Sequence, residues 1–227
     1  MKKILVAGGL LACVASLTSC GAFGVSAESE SKTYEITDKV AVLSLKTGSG
    51  DADITETGGT SIKITEKLRW SREKPKTVRE VGGDTLSLSY ECPASLDNCG
   101  VDYTVEVPKG IRLRLEAGSG DSRLRALSGP VSAEAGSGTV EGTELSSKQV
   151  TVETGSGESR LRFASAPDSV EVKAGSGSAS VFLPEGPYAV KATAGTGEVT
   201  VGITDDPAAA RKVSVRAGSG DVEVKPA

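Results

Sequence analysis

The sequence predicts an all-β, single-domain β-solenoid, β-helix-like, with coils of about 20 residues and Gly-Ser-Gly corners. Three observations predict it. First, a small-Gly-Ser/Thr-Gly refrain occurs seven times, with its first glycine at Gly48, Gly118, Gly136, Gly155, Gly175, Gly195 and Gly218. After the first interval the spacing stays near 20 residues, the mark of a solenoid. Second, the flanks alternate with period two, as in Val150-Thr151-Val152-Glu153-Thr154 before one corner and Ser159-Arg160-Leu161-Arg162 after it. Such alternation is a half-buried strand. Third, aromatics are only 4% of the chain and histidine is absent, which suits a thin aliphatic core.

The elements follow in chain order. Met1-Lys2-Lys3 is a short positive start, and Ile4 to Ser16 is apolar and small. That is a secretory leader, too short for an ordinary membrane span. It ends in Leu17-Thr18-Ser19-Cys20, which resembles the bacterial lipobox. The resemblance implies a signal peptide over 1–19 and a lipid on Cys20, anchoring the chain to the cell membrane. The alternative is plain secretion with cleavage after Ala27. Residues 20–33 read as a tether, and 34–227 as the repeat domain.

Around the corners the columns separate. Leu45, Leu115, Ala133, Val152, Val172, Ala192 and Val215 lie three before the first glycine and face inward. Asp53, Arg123, Glu141, Arg160, Ser180, Thr200 and Glu223 lie five after it and face outward. Arg123, Glu141 and Arg160 alternate in sign, a surface charge ladder. Glycine is expected at the corners for its freedom to take positive φ. Over 55–110 the refrain lapses while strand alternation continues, so wider coils or hairpins are expected there, with Gly82-Gly83-Asp84 a turn and Arg69 to Arg79 an exposed loop. Cys92 and Cys99 fall in this stretch; in an exported chain they are most simply a disulfide. A metal site would need more ligands, and a redox pair more usually reads Cys-x-x-Cys. Coils are regular over 111–225, and Gly202 to Lys212 lengthens the last turn. The end carries only Pro226 and charges against edge pairing, so the chain is a monomer or a weak end-to-end oligomer.

The small-Gly-Ser-Gly-Asp/Glu corners with Val-x-Val flanks, together with Val105-Glu106-Val107-Pro108-Lys109-Gly110 and Val181-Phe182-Leu183-Pro184-Glu185-Gly186, resemble the bacterial candidate-adhesin family of β-strand-repeat proteins, a domain of unknown function. The resemblance spans about 35–225 and implies a β-solenoid and an exported location. It brings no catalytic residues.

The net charge of −4 becomes two more negative when Lys2 and Lys3 leave with the leader, and no basic run argues for nucleic acid. No cofactor and no metal site are expected, and no enzyme activity. Expected partners are the membrane through the lipid, and an envelope protein or polysaccharide. Two alternatives are weighed. Asp121 and Glu158 share a column two coils apart, near the upper separation of an inverting glycosidase pair, but Arg123 and Arg160 sit beside them and Trp70 is the only tryptophan. Calcium binding by Gly-Ser-Gly-Asp matches the β-roll nonapeptide poorly, since Thr139 and Ser178 replace the acid.

Overall fold

The computed structural model describes residues 27–93 and 98–227. The leader, Cys20 and the start of the tether lie outside the described residues. The strands are β1 (Glu28–Ile36), β2 (Val42–Thr47), β3 (Ala52–Glu56), β4 (Ile62–Trp70), β5 (Lys76–Gly82), β6 (Thr85–Glu91) and β7 (Gly100–Val107). Then follow β8 (Arg112–Ala117), β9 (Ser122–Arg125), β10 (Val131–Ala135), β11 (Val140–Leu145), β12 (Gln149–Thr154) and β13 (Ser159–Phe163). The last are β14 (Ser169–Ala174), β15 (Ala179–Leu183), β16 (Ala189–Thr196), β17 (Val199–Val201), β18 (Lys212–Ser219) and β19 (Val222–Pro226).

They form two sheets around one core. One has ten strands, in the order β1-β4-β7-β3-β9-β11-β13-β15-β19-β17. The other has nine, β16-β18-β14-β12-β10-β8-β2-β6-β5. Each refrain corner joins one strand of each sheet, and successive coils pair in parallel. The register is the one that the glycines predict. Leu45 pairs with Leu115, Leu115 with Ala133, Ala133 with Val152 and Val152 with Val172. Ile54, Leu124, Leu161, Val181 and Val224 are fully buried opposite them.

The order of coils in space departs from the order in sequence at both ends. β2 and β3 pair with β8 and β9 on one side and with β6 and β7 on the other. At the far end β18 lies between β14 and β16, and β19 between β15 and β17. The C-terminal coil therefore fills a slot inside the stack. This corrects the expectation that the chain's end is the solenoid's end: the outermost coil is β16 with β17. The long segment 202–211 is the return path to that slot, and Asp205 caps the Val190 N–H at 2.9 Å on the way.

The region where the refrain lapses forms antiparallel pairs, as its alternation allowed. β4 pairs with β1 and β7, and β5 with β6. Gly83, at φ +64°, makes the β5–β6 turn. Two expectations need correction. Residues 28–33, read as tether, belong to β1, because Thr33, Tyr34 and Glu35 find partners in Thr65, Ile64 and Lys63. The loop expected over 69–79 shrinks to 71–75, because Trp70 is buried and Lys76 opens β5.

Candidate functional site: the corner ladder and the two outer faces

The seven corners stack into a continuous ladder. The N–H of Ser119 donates to the Gly48 carbonyl, that of Ser137 to Gly118, Ser156 to Gly136 and Ser176 to Gly155, each at 2.8–2.9 Å. The physical reason for glycine differs from the expected one. Among the refrain glycines only Gly197 and Gly220 have positive φ. The others are required by close approach: a Cβ on Gly120 would lie 2.1 Å from the Gly50 carbonyl oxygen, and one on Gly157 would lie 1.9 Å from that of Gly138. Coils at strand spacing leave no room for a side chain there.

The corner acids serve the same ladder. Asp51 Oδ1 accepts the Asp121 N–H at 3.0 Å, and Asp121 Oδ1 accepts the Thr139 N–H at 3.0 Å. Asp221 Oδ1 accepts the Glu198 N–H at 2.9 Å. At the first corner β6 and β7 complete the pattern. Asp102 Oδ1 accepts the Asp51 N–H at 3.1 Å, and the Tyr90 hydroxyl accepts the N–H groups of Gly48 and Ser49. The Cys92–Cys99 disulfide, with Cα atoms 6.0 Å apart, closes the link between β6 and β7 where another coil has its glycine corner. Asp121 is thus occupied by an amide, with Arg123 3.6 Å away. Glu158 lies two coils along the same column, and Thr139 stands between them. Among the described residues no group of three or more metal-ligating side chains occurs.

Two outer faces flank the ladder. On the nine-stranded sheet an open groove of about 650 Å³ runs beside the corners. Its rim is a register column of Lys46, Glu116, Glu134, Glu153 and Lys173. Lys46 pairs with Glu116 at 2.8 Å, and Lys173 with Glu171 at 3.1 Å. On the ten-stranded sheet the expected ladder of Arg123, Glu141 and Arg160 is in register. Arg123 pairs with its other neighbour in that column, Asp53, and with the corner acids Asp51 and Asp121, at 3.6–4.0 Å.

One buried acid escaped the sequence reading. Glu66 is 2% exposed and accepts the Tyr34 hydroxyl at 2.5 Å. Burial, then the bond to Glu66, push the Tyr34 phenol above its usual range, while the Arg79 guanidinium 4.1 Å over the ring opposes this. Burial raises Tyr103 in the same way. The signal was parity: Glu66 falls on the inward phase of Ile62, Ile64, Leu68 and Trp70.

Residues 104–225, more than half of the chain, match the model of the family described as Toastrack DUF4097. No curated protein matches. Among solved structures, a candidate cell adhesion protein of Clostridium sporogenes is similar at 19% identity with a TM-score of 0.54, covering 89% of this chain and 100% of that one. A candidate adhesin of Parabacteroides merdae is similar at 12% identity and TM-score 0.42, covering 86% and 96%. A candidate lipid-binding protein of Parabacteroides distasonis is similar at 14% identity and TM-score 0.42, with the same coverage. At these identities the first of them speaks for the fold.

Proposed function

The chain belongs to the Toastrack DUF4097 family, and from that premise we propose that it is a non-catalytic cell-envelope lipoprotein, an adhesin-like interaction scaffold held to the membrane by lipid on Cys20. One observation carries the reading. The chain enters the stack at one pole, through β1, and the pole farthest from it is β17. Ten strands at about 4.8 Å make a stand-off of roughly 43 Å between the two. The lipobox lies eight residues before Glu28, so a lipid there places the β1 pole at the membrane and the β17 pole away from it. Two rigid outer faces then stand along the axis between them. Rigid sheets displaying side chains in fixed register suit binding rather than turnover, and Asp51, Asp121 and Asp221 already hold amides.

The distal pole is also where self-association belongs. β17 is a three-residue edge strand with Val199 and Val201 each 41% exposed, and Glu198 and Lys191 are the only charges across β16, β17 and their corner. Such an edge is poorly blunted. Weak end-to-end pairing is therefore assigned to β16 and β17 and not to the C-terminal strand.

The test is mass spectrometry of the membrane fraction from native cells, with cross-linking of intact cells before lysis. The expected N-terminal peptide begins at lipid-modified Cys20, and the chain cross-links to an envelope component. A free protein beginning at Glu28 refutes the anchor and makes the chain a diffusible factor.

A further inference from the structure

The outer face of the ten-stranded sheet carries the same tetrapeptide twice. Ser122-Arg123-Leu124-Arg125 is β9, and Ser159-Arg160-Leu161-Arg162 opens β13. In both, serine and leucine are buried and the arginines are exposed. β11 lies between them, so the two arginine pairs stand two strand spacings apart, about 9–10 Å. Within each pair the arginines are two residues apart, about 7 Å.

The two columns differ in charge. The inner one, Arg123-Glu141-Arg160, is interrupted by an acid, and Arg123 already faces three aspartates. The outer one runs Arg125, Thr143, Arg162, Phe182 and Lys225 across β9, β11, β13, β15 and β19. It holds three cations, and a bulge on β11 sets Thr143 and the exposed Glu144 together opposite Arg162. No carboxylate of the described residues lies within ion-pair distance of Arg125 or Arg162, whereas Lys225 is held by Glu223 at 2.7 Å. The Arg162 guanidinium stacks 4.5 Å from the centre of the Phe182 ring, which fixes its planar donor fork.

We propose that this column binds a linear acidic glycan lying along the solenoid axis, with successive anionic groups on Arg125 and Arg162. Two unpaired guanidinium forks related by translation suit a ligand whose charges repeat, and each fork accepts a carboxylate or phosphate bidentately. Thr143, between them, offers a hydroxyl. The inference rests on the scaffold reading above. With β1 at the membrane, this column runs away from the lipid surface, so a flat bilayer does not meet Arg125 and Arg162 together.

The experiment is a binding titration of the full chain, in detergent at low salt, against polygalacturonate, its fully methyl-esterified form and long-chain polyphosphate. Vesicles containing phosphatidylglycerol are the fourth probe. The acidic polymers bind, the ester does not, and preference between carboxylate and phosphate identifies the anion. Arg125→Ser with Arg162→Ser weakens binding by roughly tenfold or more. Arg112→Ser with Arg114→Ser removes the same charge from the opposite face and changes it by less than about twofold. Arg125→Lys with Arg162→Lys recovers part of the loss. Equal losses in the two double variants reduce the effect to net charge and overturn the proposal. Binding to vesicles alone, or to none of the probes, also overturns it. A chain that binds no polymer but still cross-links at the envelope leaves the scaffold reading standing, so the two failures are separable.

Discussion

Replacing Gly138 by alanine tests why glycine occupies the corners. The backbone there is not in the left-handed region, so φ alone predicts little penalty. Close approach predicts a large one. The new Cβ would sit 1.9 Å from the Gly120 carbonyl oxygen and 2.6 Å from its carbon. Ordinary contact begins near 3.5 Å, so the coil must retreat by roughly 1 Å or more. Two ladder bonds flank the site, Ser137 N–H to the Gly118 carbonyl at 2.9 Å and Thr139 N–H to Asp121 at 3.0 Å. Overpacking costs about 1–3 kcal/mol and each weakened bond about 1. The expected loss is therefore about 3–5 kcal/mol. Urea unfolding followed by far-ultraviolet circular dichroism measures it, with Gly58→Ala as control, since nothing lies within 4 Å of that Cβ. The control should stay within about 0.5 kcal/mol of the parent. A Gly138→Ala variant within 1 kcal/mol of the parent refutes the close-approach account.

Three further outcomes are expected. Deleting residues 212–227 removes the coil between β14 and β16, so hydrogen exchange should rise across β16 and β17 as well as at β14 and β15; exchange confined to the new terminus sinks the inserted order. Thr47 Oγ1 and Ser122 Oγ are buried without a hydrogen-bond partner, so Thr47→Val and Ser122→Ala should be neutral or stabilise by up to about 1 kcal/mol in the same urea assay, whereas Thr154→Val, which loses a 3.4 Å contact with Ser159, should not stabilise. Because Tyr34 and Tyr103 have raised phenol pKa values in the fold, their contribution is intact below the unfolded value near 10 and falls as pH rises above it; thermal melts from pH 8 to 12 should show that decline, and it should be shallower in Tyr34→Phe.

The register was legible because a corner without side chains fixes the phase of everything around it. Once Gly48 and Gly118 are aligned, Leu45 and Leu115 fall into one column without further information. The order of coils was not legible. β18 and β16 have the same alternation and the same corner, so nothing local says which stands outside. What decides it is tertiary: Val213 and Val215 are buried, whereas Val190 and Ala192 are only half-covered. That Asp51, Asp121 and Asp221 each hold a backbone amide depends on the coil stacked beside them, which the local pattern does not specify. Glu66 was hidden by its own strand, because a charge at an inward position breaks the apolar alternation. The Arg125 and Arg162 column was present in the text as a repeated tetrapeptide, but the bulge that brings Glu144 opposite Arg162 without an ion pair is set by how β11 and β13 pack.

The nine residues of β1 are antiparallel to β4 along one edge and, among the described residues, have no strand on the other. A pull on the N-terminal end directed away from the stack acts first on the Glu28–Trp70 pairing and then on each pair in turn, like a zip. Such a strand yields before the doubly paired coils do. Its release would add about 30 Å of extended chain while leaving β4 and the sheets behind it in place. Under the anchoring proposed above, the first strand would thus give the molecule a reach that lengthens under load and shortens when the load is removed.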